Sequence, residues 1–352
     1  MRILQVSVGY SPAIGGIAQH VKNISERLAG RHEVTVFTQN HRGIMLSQEE
    51  INGVLVKRFK NYSFRSAYHL SFEMIRDLRK SEFDIVHGHG YHALPLYFSR
   101  FAKRKKFVIT THYHGQGHTA VQNLLLKLYK PLGRRIFTEA DAIITVSNFE
   151  RELIIRDFGV CQSKVRMIPN GIVRAEFAGR RDSSKKAGII LYVGRLEEYK
   201  GVQYIIRTLP LLDDDYRLEI VGSGSYHSKL VDLADQLGVS QRVMFHGFLD
   251  RDELIDLYFK AGLLVLLSKR EAFSIVVAEA LAAGTPCIVA NTSALKEWVD
   301  NKNCFGIDYP ISIAQLAEAI KKMTGKKATD VKLWDWDDVA REVEQVYELN
   351  QD

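Results

Sequence analysis

Short apolar runs rich in β-branched residues alternate with helix-period stretches along almost the whole chain, and this alternation limits its fold more than any other feature. In the first half such runs occupy residues 3–8, 33–38, 54–59, 85–87, 107–111, 142–146 and 165–168. Helical patterns start near Ile17, cover 67–80 and 122–137, and follow Ser147. The pattern restarts after 185–188, with strands expected at 189–193, 217–221, 243–245, 263–267 and 286–290. Strands separated by helices mean βα units and parallel sheets. Two doubly wound α/β domains are therefore expected, joined somewhere in 172–188, a stretch rich in Gly, Arg, Lys and Ser that reads as an exposed linker. A length of 352 residues suits two domains.

The net charge of +7 is unevenly divided. Residues 1–180 hold 27 Lys/Arg against 14 Asp/Glu, and residues 181–352 hold 21 against 27. One half is basic and the other mildly acidic, so different partners are expected for each. No run approaches the ~18–20 apolar residues of a spanning helix. The N-terminus, MRILQVSVGY, reads as a strand rather than a signal peptide. Three cysteines, Cys161, Cys287 and Cys304, make no disulfide framework. A cytoplasmic location is the expectation.

Ligands of doubly wound sheets bind at the carboxyl ends of the strands, so the loops there matter most. After the run 263–267 comes Glu271-Ala-Phe-Ser-Ile-Val-Val-Ala-Glu279. Ser274 reads as an N-cap, with a helix from Ile275 to about Ala283. The first amides of that helix, at Ile275, Val276 and Val277, suit an anion. The two carboxylates suit hydroxyls on either side of it, such as those of a sugar and a ribose. The competing reading is two solvated glutamates flanking a buried helix. After 189–193 comes Gly194-Arg195-Leu-Glu-Glu-Tyr-Lys200-Gly201, whose cations suit a diphosphate, both bound and departing. A surface turn with salt bridges is the bland alternative. Val221-Gly222-Ser-Gly224 and His246-Gly247-Phe248 follow the next two strands. The glycines allow a nucleotide close approach, although His227 spoils a dinucleotide fingerprint. Ordinary tight turns are the bland reading of both.

Taken in order, Gly-Arg-x4-Lys-Gly, the Gly-x-Gly loop, and Glu-x7-Glu followed by Ala-x3-Gly-x-Pro resemble the nucleotide-sugar domain of glycosyltransferase family 4, retaining enzymes of GT-B architecture. The resemblance extends to the first half through Gly15-Gly16-Ile-Ala-Gln-His20-Val, Asp84-Ile-Val-His87-Gly-His89, Thr110-Thr-His112, Val146-Ser147 and Ile168-Pro-Asn170-Gly171. It implies two Rossmann-like domains facing across a cleft. The first, 1–175, takes the acceptor, and the second, 185–334, takes the donor. A final helix within 335–352, whose apolar residues at 336, 339, 343 and 346 share one face, returns to the first domain.

The resemblance also implies roles. Arg195 and Lys200 grip the donor diphosphate, Glu279 holds the ribose, and Glu271 with the backbone of Phe273, Ser274, Ile275 and Val276 holds the sugar. Gly15 and Gly16 touch donor phosphate or acceptor, while Gly194, Gly222, Gly224, Gly247 and Phe248 line the nucleotide. His112 stands near the anomeric carbon, with His20, His89 and His114 on the acceptor side. The catalytic set is then His112, Glu271, Arg195 and Lys200. The implied reaction is transfer of a sugar from a donor such as a UDP- or GDP-sugar to an acceptor hydroxyl, on a glycan or a lipid-linked glycan. Two positions depart from the family pattern. Val173 stands where Asp is frequent, and Ser274 stands where Pro or Gly is common. A nucleotide-sugar-binding protein without activity and a sugar-nucleotide epimerase are the alternatives on the same fold.

Half of the 12 histidines fall within 87–118: His87, His89, His92, His112, His114 and His118. The run His87-Gly-His89-Gly-Tyr91-His92 approximates a metallohydrolase motif, but Tyr91 replaces its aspartate. Asp213-Asp-Asp215 and Asp335-Trp-Asp337 read as a turn and a helix start, not as metal ligands. No metal and no cofactor beyond the donor are expected. Finally, Lys103-Arg-Lys-Lys106 and the stretch 122–137 are basic. The latter mixes Leu124, Leu125, Leu128 and Ile136 with Lys127, Lys130, Arg134 and Arg135. Such a surface docks peripherally on anionic lipid at ~1 kcal/mol per basic residue, or is simply a solvated face. No nucleic-acid reader motif accompanies the charge.

Overall fold

The computed structural model describes residues 1–13, 15–40, 45–62, 69–117, 120–180 and 186–349. His118, the beginning of the helix expected at 67–80, and part of the expected linker lie outside them. The chain divides into two compact units, 1–170 with 336–352, and 171–335.

The first unit is built on an eight-stranded sheet: β1 (Arg2–Val6), β2 (Glu33–Asn40), β3 (Gln48–Ile51), β4 (Val54–Lys60), β5 (Glu82–His89), β6 (Lys103–Thr110), β7 (Ala142–Thr145) and β8 (Val165–Met167). Their order is 3-4-2-1-5-6-7-8. Every pairing is parallel except β3 with β4. The periodicity does not reveal β3, because its Glu49 and Glu50 break the apolar pattern. The chain runs from β1 outward to one edge, then crosses back to β5 on the other side of β1. In sheets wound this way ligands bind outside the carboxyl ends of the strands where the order reverses, here β1 and β5.

Helix Gly16–Ala29 follows β1 and buries Ala18, His20, Val21, Ile24 and Leu28. The expected 67–80 helix occupies Phe72–Lys80, begun by Ser71, whose side chain accepts from the Met74 N–H. The helix Ala120–Glu139 is longer than its apolar pattern suggested and carries Pro131 inside it. The final helix, Trp336–Glu348, buries Trp336, Val339, Val343, Val346 and Tyr347 within this unit, and Arg27 and Arg31 bind its Asp337 and Glu344.

The second unit holds an all-parallel six-stranded sheet: β9 (Lys186–Val193), β10 (Arg217–Val221), β11 (Val243–Gly247), β12 (Ala261–Leu266), β13 (Cys287–Ala290) and β14 (Cys304–Ile307). Their order is 11-10-9-12-13-14. Here the strand order reverses between β9 and β12. β12 is buried along its whole length, as a strand covered on both faces must be. The short β14 has no counterpart among the sequence expectations.

The linker reading fails for the start of its segment. Ile172 is buried and donates its N–H to the Trp334 carbonyl at 2.9 Å. Phe177 is also buried, in a helical turn at Arg174–Phe177. Two apolar residues among the polar ones anchor this stretch to the second unit.

Candidate functional site

Two constellations gather the residues singled out above, one in each unit. In the second unit, Gly194 and Arg195 follow β9, while Glu271 lies in the loop after β12. Both therefore sit at the reversal of strand order. Lys200 Nζ lies 2.6 Å from Glu271 Oε1, and both side chains are mostly buried. The approach depends on Gly201, which has φ +79° and passes so close to β12 that a Cβ would lie 2.4 Å from the Leu267 carbonyl oxygen. Arg195 is exposed and donates to the Tyr199 hydroxyl at 2.6 Å. Lys200 Nζ lies 5.4 Å from the centre of the same ring. Tyr199 thus spaces two like charges. Burial raises its phenol pKa. Sequence reasoning passed over this residue because a tyrosine between two charges carries no spacing signal.

The Glu271 loop is held from several sides. Its N–H donates to Ser293 Oγ at 3.0 Å, and Trp298 Nε1 donates to the Phe273 carbonyl at 3.1 Å. Ser274 takes φ +95°, a strained conformation for a residue with a side chain. Its Oγ accepts from the Val277 N–H at 3.4 Å. One of the three helix amides expected to face an anion is therefore capped. The helix runs Ile275–Ala282, and Val276 is partly exposed at its first turn.

Glu279 is deeply buried. It accepts from Tyr258 at 3.0 Å and pairs with Arg251 at 2.7 Å, and Arg251 also binds Glu176. Burial raises the pKa of this carboxyl, opposed by Arg251. An ionised carboxylate offers about four acceptor positions, so these two partners do not exhaust its accepting capacity.

The Gly-x-Gly loop has a structural reason of its own. A Cβ on Gly222 would lie 2.0 Å from the Gly194 carbonyl oxygen, and one on Gly224 would lie 2.2 Å from that of Leu196. Leu196 donates to the Ser223 carbonyl at 2.9 Å. The glycines let this loop pack against the Arg195 loop; the space a side chain would need is filled by protein. Gly247 donates nothing to this contact but accepts from the Gly222 N–H at 2.6 Å, and Phe248 beside it is 64 % exposed. Asp213–Asp215 form a turn, as read.

In the first unit, Gly15 and Gly16 open the helix after β1. Gly15 has φ +154°, and nothing among the described residues lies within 4 Å of a Cβ built on either glycine. No side chain caps this helix end. One turn on, His20 is buried beside His89 and His112, with ring centres 5.4 and 5.0 Å away. The parallel register pairs Gln5 of β1 with His87 of β5, so His87 and His89, two residues apart, share a face. His87 uses both ring nitrogens, on Tyr347 at 2.7 Å and Thr110 at 2.8 Å. Burial lowers the pKa of His20 to about 4 and those of His87, His89 and His112 well below the ordinary value. These four imidazoles are neutral at pH 7. His114 stands apart, half-buried and stacked on His92 with ring centres 4.2 Å apart.

His112 has φ +47°, an unusual conformation for a non-glycine residue. A carboxylate holds it there. Glu150, fully buried, accepts from the Thr111 hydroxyl and the Tyr113 N–H, both at 2.5 Å, and from the Val146 N–H at 2.7 Å. The residues on both sides of His112 are thus fastened to one group. Burial pushes the Glu150 pKa up to about 7 against the pull of these three donors. Sequence reasoning missed Glu150. Its S-x-x-E spacing from Ser147 signals a helix start and nothing more.

Against known proteins, residues 14–176 match the family described as Glycosyltransferase Family 4, and residues 173–333 match Glycosyl transferases group 1. An uncharacterized glycosyltransferase of Methanocaldococcus jannaschii is 31 % identical over 99 % of this chain and 98 % of its own length. A glycogen synthase of Mycobacterium tuberculosis is 32 % identical over 99 % and 94 %. Among solved structures, sucrose-phosphate synthase of Thermosynechococcus elongatus superposes with a TM-score of 0.80 at 20 % identity, covering 99 % of this chain and 98 % of that one. Anabaena HepE in complex with UDP-glucose superposes at 0.78 and 20 %, over 99 % and 100 %. These likenesses establish the GT-B fold.

Proposed function

The chain belongs to glycosyltransferase family 4, group 1, and from that premise we propose that it transfers a sugar from a nucleoside-diphosphate donor to an acceptor hydroxyl with retention of anomeric configuration. The observation that carries this reading is the meeting of Lys200 and Glu271 at 2.6 Å, from two different strand-end loops, with Arg195 beside them. A lysine already paired with a carboxylate keeps two further donor hydrogens for phosphate. Glu271 keeps acceptor positions for sugar hydroxyls. Unit 2 accordingly takes the donor, Glu279 serves the ribose, and the amides of Ser274–Val276 serve the sugar and phosphate.

In the proposed mechanism the bond from the anomeric carbon to the diphosphate lengthens first, and its electron pair leaves with the phosphate oxygen. Lys200 and Arg195 stabilise that growing charge without a metal. The acceptor hydroxyl attacks from the same face and passes its proton to the departing phosphate. His112 is neutral and held by the Glu150 clamp. It orients the reacting groups and carries no charge to repel a developing cation. Unit 1 takes the acceptor, with His20, His89 and His114 on that side.

We further assign the helix Ala120–Glu139 to peripheral docking on anionic lipid. Leu124, Leu128 and Leu132 follow at four-residue spacing and are all exposed, beside exposed Lys127, Arg134 and Arg135. Its other face packs so tightly on Tyr91 that a Cβ on Gly133 would lie 2.0 Å from the Tyr91 hydroxyl oxygen. Among the described residues no helix is long and apolar enough to cross a membrane. Liposome co-sedimentation tests the assignment: binding to anionic vesicles above neutral ones is expected, and equal partitioning rejects it.

The reaction itself is tested by incubating the chain with UDP- and GDP-sugars and an acceptor panel, then reading the anomeric signal of the product by NMR. Retention is the expected result. Inverted product, or an epimerised donor without transfer, overturns the proposal.

A further inference from the structure

Three imidazoles of the first unit converge, and sugar transfer accounts for only one of them at the reacting centre. His20, His89 and His112 each bring a ring nitrogen within 4.8 Å of the others. All three side chains are buried. His20 Nε2, His89 Nδ1 and His112 Nε2 have no hydrogen-bond partner among the described residues.

Two of these nitrogens have their protonation state set by the opposite side of the ring. His20 Nδ1 lies 2.7 Å from Asn170 Oδ1. His89 Nε2 lies 2.7 Å from Gln5 Oε1, and Gln5 is itself oriented by donating from Nε2 to the Tyr347 hydroxyl at 3.0 Å. Amide oxygens only accept, so His20 Nδ1–H and His89 Nε2–H are the donors. A lone pair is left on His20 Nε2 and on His89 Nδ1. An amide or carboxylate oxygen behind a histidine, fixing its tautomer and ring plane, is the usual support of a metal ligand. Two such supports, on separate elements of the unit, here serve histidines of one cluster.

We propose that His20, His89 and His112 form a three-imidazole site for a divalent transition metal, zinc by preference. Three imidazoles are the protein ligand set of one kind of zinc site, whose fourth ligand is water or an anion, and nitrogen ligands favour zinc, copper or nickel over magnesium and calcium. Bonds of about 2.0–2.1 Å in a tetrahedron put neighbouring nitrogens about 3.3 Å apart. The rings therefore move slightly inward on loading. All three ligands are neutral, so the fourth position takes an anion or hydroxide, whose charge offsets the buried cation. The set differs from the His87–His89–His92 run of the sequence. His87 has both nitrogens committed, whereas His20 arrives from a different element. The proposal runs against the sequence expectation of a metal-free chain. On the transfer reading, zinc draws His112 away from substrate and inhibits reversibly; the site itself does not depend on that reading.

The test uses the full chain, stripped with EDTA and titrated with Zn²⁺ alone by calorimetry. Co²⁺ provides a second readout through the visible absorption of a tetrahedral complex. One metal per chain is expected. His20→Gln and His89→Gln should each abolish binding, and Asn170→Ala should weaken it ~10–100-fold. The exposed His227→Ala should bind as the parent does. Circular dichroism identifies any variant that fails to fold, and Asn170→Ala together with the Co²⁺ spectrum of the parent then decides. No stoichiometric uptake by the parent, an octahedral Co²⁺ spectrum, or unchanged affinity in folded His20, His89 and Asn170 variants overturns the site. Since no nucleotide sugar is present, a chain that transfers no sugar still passes or fails this test.

Discussion

Near the strand ends of the first unit stand four buried neutral imidazoles, His87 and His89 on β5, His112 after β6 and His20 on the helix that follows β1. At the equivalent reversal of strand order in the second stand Arg195, Lys200 and Glu271, each at least partly open to solvent. The first set is held by neutral or buried partners: Asn170, Gln5, Tyr347 and the carboxyl of Glu150. The second is held by charge, with Tyr199 as a spacer. Burial explains the contrast. A desolvated site favours uncharged imidazole, which suits it to directing protons, coordinating ions and tolerating a cationic sugar. In the second unit the side chains are only partly withdrawn from water and Lys200 lies against the Glu271 carboxylate, an arrangement that on the proposed reading suits a diphosphate. One topology therefore carries two different side-chain environments, set by how far each loop is withdrawn from water and by the partners it meets.

The sharpest way to break this comparison is to remove the charges. Lys200→Ala and Arg195→Ala should each lower turnover ~100–1,000-fold, the loss of one preorganised charge partner, ~2.7–4 kcal/mol. Melting temperatures should stay close to the parent's. Near-parent turnover in both variants would take the diphosphate away from this loop.

Next in size is the titration of Glu150. Its pKa rises from 4.5 in the unfolded chain to about 7 in the folded one, so the native state binds the extra proton between those values. The stability this group contributes is full below pH 4.5 and is lost as pH rises through 7, by about 3 kcal/mol. The buried histidines bend the raw profile the other way, so the quantity to measure is parent minus Glu150→Gln. That difference in unfolding free energy should fall across pH 4.5–7. A flat difference would mean the clamp on His112 is ionised throughout.

The glycines give a third contrast. Gly224→Ala pushes a Cβ against the Leu196 carbonyl and should cost the second unit ~1–3 kcal/mol in chemical denaturation. Gly16→Ala meets nothing within 4 Å among the described residues and should leave stability within ~0.5 kcal/mol. Equal costs at the two positions would show that the Gly-x-Gly loop is not a packing device.

Much of the fold was legible because its strands are apolar and its helices periodic. What escaped was local: β3 hides behind Glu49 and Glu50, β14 is four residues long, and Ile172 and Phe177 pin a stretch whose composition looked like linker. The second unit's cluster could be sought in the sequence because glycines and charges stand together just after apolar strands, a pattern that turns and salt bridges also produce. Even there, Gly222 and Gly224 proved to carry a packing role that spacing alone does not reveal. The first unit's site was only half readable. Its histidines stand out in the sequence, but their partners Gln5, Asn170 and Glu150 come from β1, a loop and a helix far apart in the chain. No periodicity brings them together; only the parallel register and the burial of their side chains do.

A thermal-shift panel of nucleotide sugars tests the central claim most directly, namely that the Lys200–Glu271 pair receives a nucleotide sugar. At 100 times its dissociation constant the right donor adds ~2.7 kcal/mol to the parent, and little to Lys200→Ala at the same concentration. No stabilisation by any nucleotide sugar, or an undiminished shift in Lys200→Ala, would contradict it.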